Sequence, residues 1–268
     1  MPDPINPIAA LDPLSHATVH LTMYFKVPDS AISDRQCLGT ATGFIREVRG
    51  QSFLITARHN LTGRHPKTKK LISDTGGIPN EIDLNGFNLQ ASLQLYGPPN
   101  DPNDLDHCPR LFYEHPTDPT IDVAVIPFTP PSDLHFAWNE FFFDEVQNQA
   151  SIDLRVTQTC FVIGFPLGLV DNLTIPAHVL PIYKTANIAS EPHLDFRGRP
   201  IVIIDVTTRG GMSGSPVIVR QEYFGSRRYR LVGIYTGRFP AVETGEDPAL
   251  GIVFKPKVIR EIFRSFLT

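Results

Sequence analysis

The 268-residue sequence predicts an all-β protein, with two six-stranded antiparallel β-barrels followed by a C-terminal α-helix. Three observations predict it. Short β-branched and alternating apolar runs recur along the chain, each bounded by Gly, Pro, Asn or Asp. The runs fall into two groups, separated by a stretch that opens on Thr129-Pro130-Pro131. The strand–helix alternation of a doubly wound parallel sheet is missing, and helical spacing occurs only at the end of the chain.

Residues 1–16 hold several prolines and predict an extended arm. Ala17 to Val27 alternates through Val19, Leu21 and Phe25 and predicts a strand. Gly39 to Ile45 and Gln51 to Thr56 predict two more, joined through Arg49-Gly50. Residues 63–82 are polar and basic and predict a loop, as do the Pro/Asp-rich residues 100–109. Phe87 to Tyr96 and Ile121 to Phe128 return to strand character. Residues 129–153, with Trp138 and Phe141-Phe142-Phe143, predict an aromatic bridge with a helical turn near 133–145. Beyond it, Thr157 to Ile163, Ile175 to Ile188, Ile201 to Val206, Val217 to Tyr223, Tyr229 to Tyr235 and Leu250 to Phe254 predict strands. Pro256 to Leu267 predicts a helix with Val258, Ile259, Ile262, Phe263 and Phe266 on its apolar face. The domain reading is therefore an arm (1–16), a first barrel (17–128), a linker (129–153), a second barrel (154–254) and a C-terminal helix (255–268).

The composition excludes several classes. Apolar residues make up 41%, enough for a sizeable core, and the net charge of −4 argues against a nucleic-acid surface. No run approaches the length of a membrane span, and the N-terminus carries neither a basic start nor an apolar run, so no membrane partner and no secretory signal are expected. The three cysteines, Cys37, Cys108 and Cys160, are widely spaced and odd in number. They predict reduced, mostly buried thiols in a cytoplasmic protein rather than a disulfide framework or a zinc site. No cofactor and no metal are expected, because no clustered ligand spacing occurs.

The chemistry gathers at Thr207-Thr208-Arg209-Gly210-Gly211-Met212-Ser213-Gly214-Ser215-Pro216. A strand enters, a glycine-rich turn follows and a strand leaves. Such a turn can aim backbone N–H groups into one small space that holds a developing negative charge. Taken alone, it also reads as a hairpin turn that happens to carry a serine. A serine nucleophile needs a base, and the base needs an orienting partner. Of the nine histidines, His59 stands out, because it follows the strand Phe53-Leu54-Ile55-Thr56 at its rim. Asp122 precedes the apolar run Val123 to Ile126, where an unpaired carboxylate would be costly to bury. It can accept from the His59 ring and fix its tautomer. The alternative for Asp122 is a loop acid or cap, a description that suits Asp118 better. The chain order is His59, Asp122, Ser213. No histidine follows His193 and position 215 is serine, so an α/β-hydrolase elbow is excluded.

In order, Gly39-Thr40-Ala41-Thr42-Gly43-Phe44, Leu54-Ile55-Thr56-Ala57-Arg58-His59, Asp122-Val123-Ala124-Val125, Gly164-Phe165-Pro166-Leu167-Gly168, Gly211-Met212-Ser213-Gly214-Ser215-Pro216 and Val232-Gly233-Ile234-Tyr235-Thr236-Gly237 resemble the motifs of chymotrypsin/trypsin-fold serine peptidases of the bacterial trypsin-like kind. The resemblance runs from about residue 17 to the C-terminus.

The resemblance implies that Ser213 attacks the scissile carbonyl, His59 shuttles the proton, and the N–H groups of Gly211 and Ser213 form an oxyanion hole. It places Thr207 and Thr208 at the base of the main specificity pocket, and Tyr235, Thr236, Gly237 and Arg238 along its wall and edge. Departures carry information. Asn60 and Arg209 stand where secreted relatives often have cysteines. Met212 stands where zymogen-activated relatives have the aspartate that pairs with a new N-terminal amine. Activation by that switch is therefore excluded, and the oxyanion loop is expected to be either permanently formed or ordered by a protein partner. Thr207 removes the basis for a Lys/Arg preference, and small, polar or acidic residues are expected before the scissile bond. The expected partner is a protein or peptide substrate. The alternative reading is a peptide-binding or regulatory module on the same fold, with little or partner-dependent activity.

Overall fold

The computed structural model describes residues 11–27, 34–73, 75–98, 108–130, 152–172, 179–223, 226–239 and 248–267. The predicted linker, with Trp138 and its helical turn, lies almost wholly outside the described residues.

The first half folds as one antiparallel sheet of seven strands. These are β1 (Thr18–Phe25), β2 (Gln36–Val48), β3 (Gln51–Thr56), β4 (Glu81–Gly86), β5 (Leu89–Gln94), β6 (Tyr113–Glu114) and β7 (Ala124–Phe128). Their order is β5-β4-β1-β2-β3-β7-β6. The sheet curls until its edges meet beyond β5 and before β6. There the Gly97 N–H donates to the Pro109 carbonyl at 2.8 Å and the Leu111 N–H to the Leu95 carbonyl at 2.9 Å, with Tyr96 bridged to Arg110. Alternation explains the inward face: Val19 and Leu21 of β1, Leu54 of β3, and Ile82 and Leu84 of β4 fill one buried cluster.

The second half closes fully. Strands β8 (Thr159–Gly164), β11 (Ile182–Ile188), β12 (Ile201–Asp205), β13 (Pro216–Tyr223), β14 (Ser226–Arg238) and β15 (Leu250–Phe254) form a six-stranded barrel in the order β11-β12-β15-β14-β13-β8. A small ribbon of β9 (Asp171–Asn172) and β10 (Val179–Leu180) stands beside it. Closure removes exposed strand edges, which is how all-β domains of this size avoid edge-to-edge pairing.

Another buried cluster joins the halves. It combines Phe44, Phe53 and Ile55 from the first sheet with Ile163, Ile203, Ile234 and Phe254 from the barrel and with the C-terminal helix. That helix, α3 (Pro256–Phe266), has Pro256 at its first position and buries Val258, Ile259, Ile262 and Phe263, the face its spacing predicts. Phe263 meets Phe53 edge-on at 5.0 Å, and Phe266 stacks on Tyr113. The helix thus pins the two halves together.

The arm differs at its end from the extended expectation. Pro13–Ala17 forms a short helix, α1, because the Asp12 side chain accepts from the Leu14 N–H at 3.0 Å and Pro13 starts the turn. Of the cysteines, Cys37 is exposed, Cys108 is half-buried and only Cys160 is buried, where desolvation pushes its thiol up to about 12. Among the described residues, no helix is long and apolar enough to cross a membrane.

His20 of β1 is 9% exposed, packs edge-on against Phe165, and its Nε2 has no hydrogen-bond partner among the described residues. Burial lowers its pKa by penalising the imidazolium. The unfolded chain therefore binds more protons than the folded one below the ordinary histidine value of about 6.5. Stability should be full above that pH and fall as pH drops through it toward the lowered folded value. Denaturant unfolding between pH 7.5 and 5 should show this slope, and His20→Gln should flatten it.

Candidate active site

The site lies where the two halves meet, and each half supplies a rigid piece. From the first half, β3 ends at Thr56 and the chain turns into α2 (Arg58–Thr62), which carries His59 on its second residue. Arg58 fixes the start of this turn by donating to Glu114 at 2.7 Å and to the Pro119 carbonyl at 2.7 Å. Asp122, just before β7, is 3% exposed. Its Oδ2 lies 2.7 Å from His59 Nδ1, and its Oδ1 accepts from the His59 backbone N–H at 2.9 Å. One carboxylate therefore holds both the ring and the backbone of the histidine, which fixes the ring's orientation and leaves Nε2 as its working nitrogen.

The second half supplies the glycine turn between β12 and β13. Gly211 has φ +88° and Gly214 has φ +93°, both in the left-handed region. Space demands glycine too. A Cβ on Gly211 would come within 2.2 Å of the Phe165 carbonyl, and one on Gly214 within 1.9 Å of the Thr42 carbonyl. Met212 between them is fully buried in the barrel core beside Val217 and Val253. Anchored this way, the turn leaves the N–H groups of Gly211 and Ser213 without a carbonyl partner among the described residues.

Ser213 bridges the halves. Its carbonyl accepts from the Thr42 N–H at 2.9 Å and from Asn60 Nδ2 at 3.1 Å, so the serine is tied to the residue next to His59. Its hydroxyl donates to the Thr236 carbonyl at 3.1 Å rather than to the imidazole. Thr236 offers that carbonyl because the β14–β15 register shifts between Tyr235 and Gly237, which leaves Thr236 outside the ladder.

The predicted pocket residues divide. Thr207 and Arg238 are exposed, Gly237 is half-buried, and Thr208 is 1% exposed. Tyr235 is 2% exposed and packs its ring against Gly251, where an added Cβ would come within 2.9 Å of it. Its hydroxyl hydrogen-bonds the Thr208 hydroxyl. Tyr235 thus fills the space beneath Thr208 with its ring instead of lining an open wall.

Sequence reasoning missed the centre of the arrangement. The buried Thr42 hydroxyl donates to the Gly211 carbonyl at 2.7 Å and accepts from the Phe165 N–H at 3.1 Å. Its carbonyl accepts from Thr56 Oγ1 at 2.7 Å, and Asn60 Nδ2 donates in turn to that hydroxyl at 3.0 Å. The only sequence signal was a hydroxyl on the inward side of a strand. Among the described residues, no three His, Cys, Asp or Glu side chains are grouped to hold a metal ion.

A model of the trypsin-like peptidase domain matches residues 41–224. A search of curated proteins returns no match. Among solved structures, the Rv3671c protease in an inactive form is 16% identical, with 98% of this chain and 94% of that chain covered and a TM-score of 0.49. An inactive form of Rv3671c from M. tuberculosis H37Rv with serine mutated to alanine is also 16% identical, with 99% and 94% covered and a TM-score of 0.46.

Replacing Thr42 by valine keeps the shape and removes the hydroxyl, stranding the Gly211 carbonyl and the Phe165 N–H in the interior. Thr42→Val should cost about 1–3 kcal/mol in denaturant unfolding, while Thr42→Ser should keep most of the stability.

Proposed function

The chain belongs to the trypsin-like peptidase domain family, and on that premise we propose that it is a serine endopeptidase using Ser213, His59 and Asp122. The observation that carries the proposal is the doubly bonded His59–Asp122 pair, tied through Asn60 to a serine whose turn leaves two N–H groups unbonded. In the reaction, Ser213 Oγ leaves the Thr236 carbonyl, passes its proton to His59 Nε2 and attacks the scissile carbonyl. The resulting oxyanion takes the N–H groups of Gly211 and Ser213. Asp122 stabilises the imidazolium and keeps Nδ1 protonated. The imidazolium then gives its proton to the leaving amine, and water repeats the sequence on the acyl-enzyme. One oxyanion donor is worth on the order of 100- to 1000-fold in rate.

The anchoring of Met212 supports an oxyanion turn that is formed without proteolytic processing. In place of a buried ion pair, an apolar side chain sits in the barrel core and Thr42 ties the turn to β2. For specificity, the Tyr235 ring beneath Thr208 supports a shallow pocket, suited to small or polar side chains before the scissile bond. Arg238 at the exposed end of β14 supports acidic ones. The substrate is a protein or peptide. The few, widely spaced cysteines support a cytoplasmic address.

One observation favours the second reading, a peptide-binding module whose activity depends on a partner. The Ser213 hydroxyl rests on the Thr236 carbonyl, not on the base. A cleavage profile over a peptide library decides between them. The purified chain should cut after small, polar or acidic residues, and Ser213→Ala should lower the rate roughly a millionfold. Absence of cleavage at any sequence would favour the module, and a profile dominated by Lys, Arg or large aromatics would reject the pocket assignment.

A further inference from the structure

The loop after β8, Phe165-Pro166-Leu167-Gly168-Leu169, backs the oxyanion turn, yet the chemistry above makes no use of its side chains. The Leu167 N–H donates to the Gly210 carbonyl at 2.6 Å. The backbone nitrogens of Leu167 and Gly168 lie 3.1 Å from the point where Gly211 would carry a Cβ. Leu167 has φ 56° and ψ 22°, a left-handed conformation that glycine or asparagine adopts at far lower cost than a leucine. It is also 68% exposed, and Leu169 is 59% exposed. Two leucines so exposed add little to the core, and one of them strains the backbone. Backbone strain of this kind clusters at active sites and ligand clamps.

On the proposed peptidase reading, the acyl half of a substrate lies along Thr236 to Arg238, and its carbonyl oxygen enters between the Gly211 and Ser213 N–H groups. The Leu167–Gly210 bond sets this loop against the turn that carries Gly211 and Ser213, so its two exposed leucines border the oxyanion turn. Thr40 of β2 borders the same loop, its Oγ1 3.3 Å from a Cβ built on Gly168. We propose that Leu167 and Leu169 form an apolar subsite for the residue immediately after the scissile bond, so that the enzyme takes polypeptides carrying an aliphatic or aromatic side chain there.

The test uses partitioning of the acyl-enzyme, formed from peptide thioesters, between water and added amino-acid amides. The amine attacks the Ser213 ester, a C–N bond forms as the C–Oγ bond breaks, and the amine proton passes through His59 to Oγ. Leucinamide and phenylalaninamide should capture the acyl group about tenfold better, relative to water, than glycinamide or aspartamide, at the low end of apolar side-chain discrimination. Leu167→Asn, which suits the backbone conformation, and Leu169→Ser should each shrink that ratio, and Leu167→Met should keep it. Ester turnover with equal partitioning among the four amides, or a ratio unchanged in both polar variants, overturns the subsite alone. Failure to turn over any thioester defeats the peptidase reading and the subsite with it.

Discussion

One side chain of β2, Thr42, holds the two halves of the site in register. Its hydroxyl donates to the Gly211 carbonyl and accepts from the Phe165 N–H, its N–H reaches the Ser213 carbonyl, and its own carbonyl takes the Thr56 hydroxyl. Three of these bonds join the first sheet to both loops of the barrel that surround Ser213, and the fourth ties β2 to β3. Every group in the network is buried or partly buried, so each bond is expensive to break without replacement. The orientation of the Gly211 peptide, and with it the direction of its N–H, depends on where its neighbouring carbonyls are held.

Around this hub the two halves divide the work. The first sheet orients a histidine: Asp122 and the α2 turn grip His59 through its ring and its backbone. The barrel shapes the turn that carries Ser213, using two glycines with left-handed angles and a buried methionine. Asn60 closes the circuit by joining the residue after His59 to the Ser213 carbonyl. Relatives that fold in oxidising compartments often place a cysteine directly after the histidine. Here a hydrogen-bonded amide occupies the position, a link that works in a reduced chain. The shared apolar cluster and α3 keep the halves from sliding, so the spacing of base and serine is a property of the core.

Much of this was legible in the sequence, for physical reasons. β1 showed in its alternation, and β3 and β12, buried along nearly their whole length, showed as short apolar runs. β4 did not, because the polar Glu81, Asp83 and Asn85 alternate with Ile82 and Leu84 and dilute their signal. His59, Asp122 and Ser213 stood out because each sits at the end of a rigid element beside an apolar run, and the structure brings His59 and Asp122 into contact. Thr42 could not be singled out, since its partners Phe165 and Gly211 lie far along the chain. The burial of the Tyr235 ring was hidden for a different reason. The register shift after it breaks the two-residue alternation, so its inward orientation cannot be read from its neighbours. The α1 turn was hidden by prolines that suit an extended arm and the first turn of a helix equally well.

The central claim is that the oxyanion turn is formed in the free chain by internal contacts alone. Intact-mass titration of the freshly purified, unprocessed protein with a fluorophosphonate tests it most directly. Near-stoichiometric addition of a single adduct, absent from Ser213→Ala, is the expected result. Labelling that stays at a small fraction of the chains and rises only after proteolytic processing or addition of another protein would contradict it.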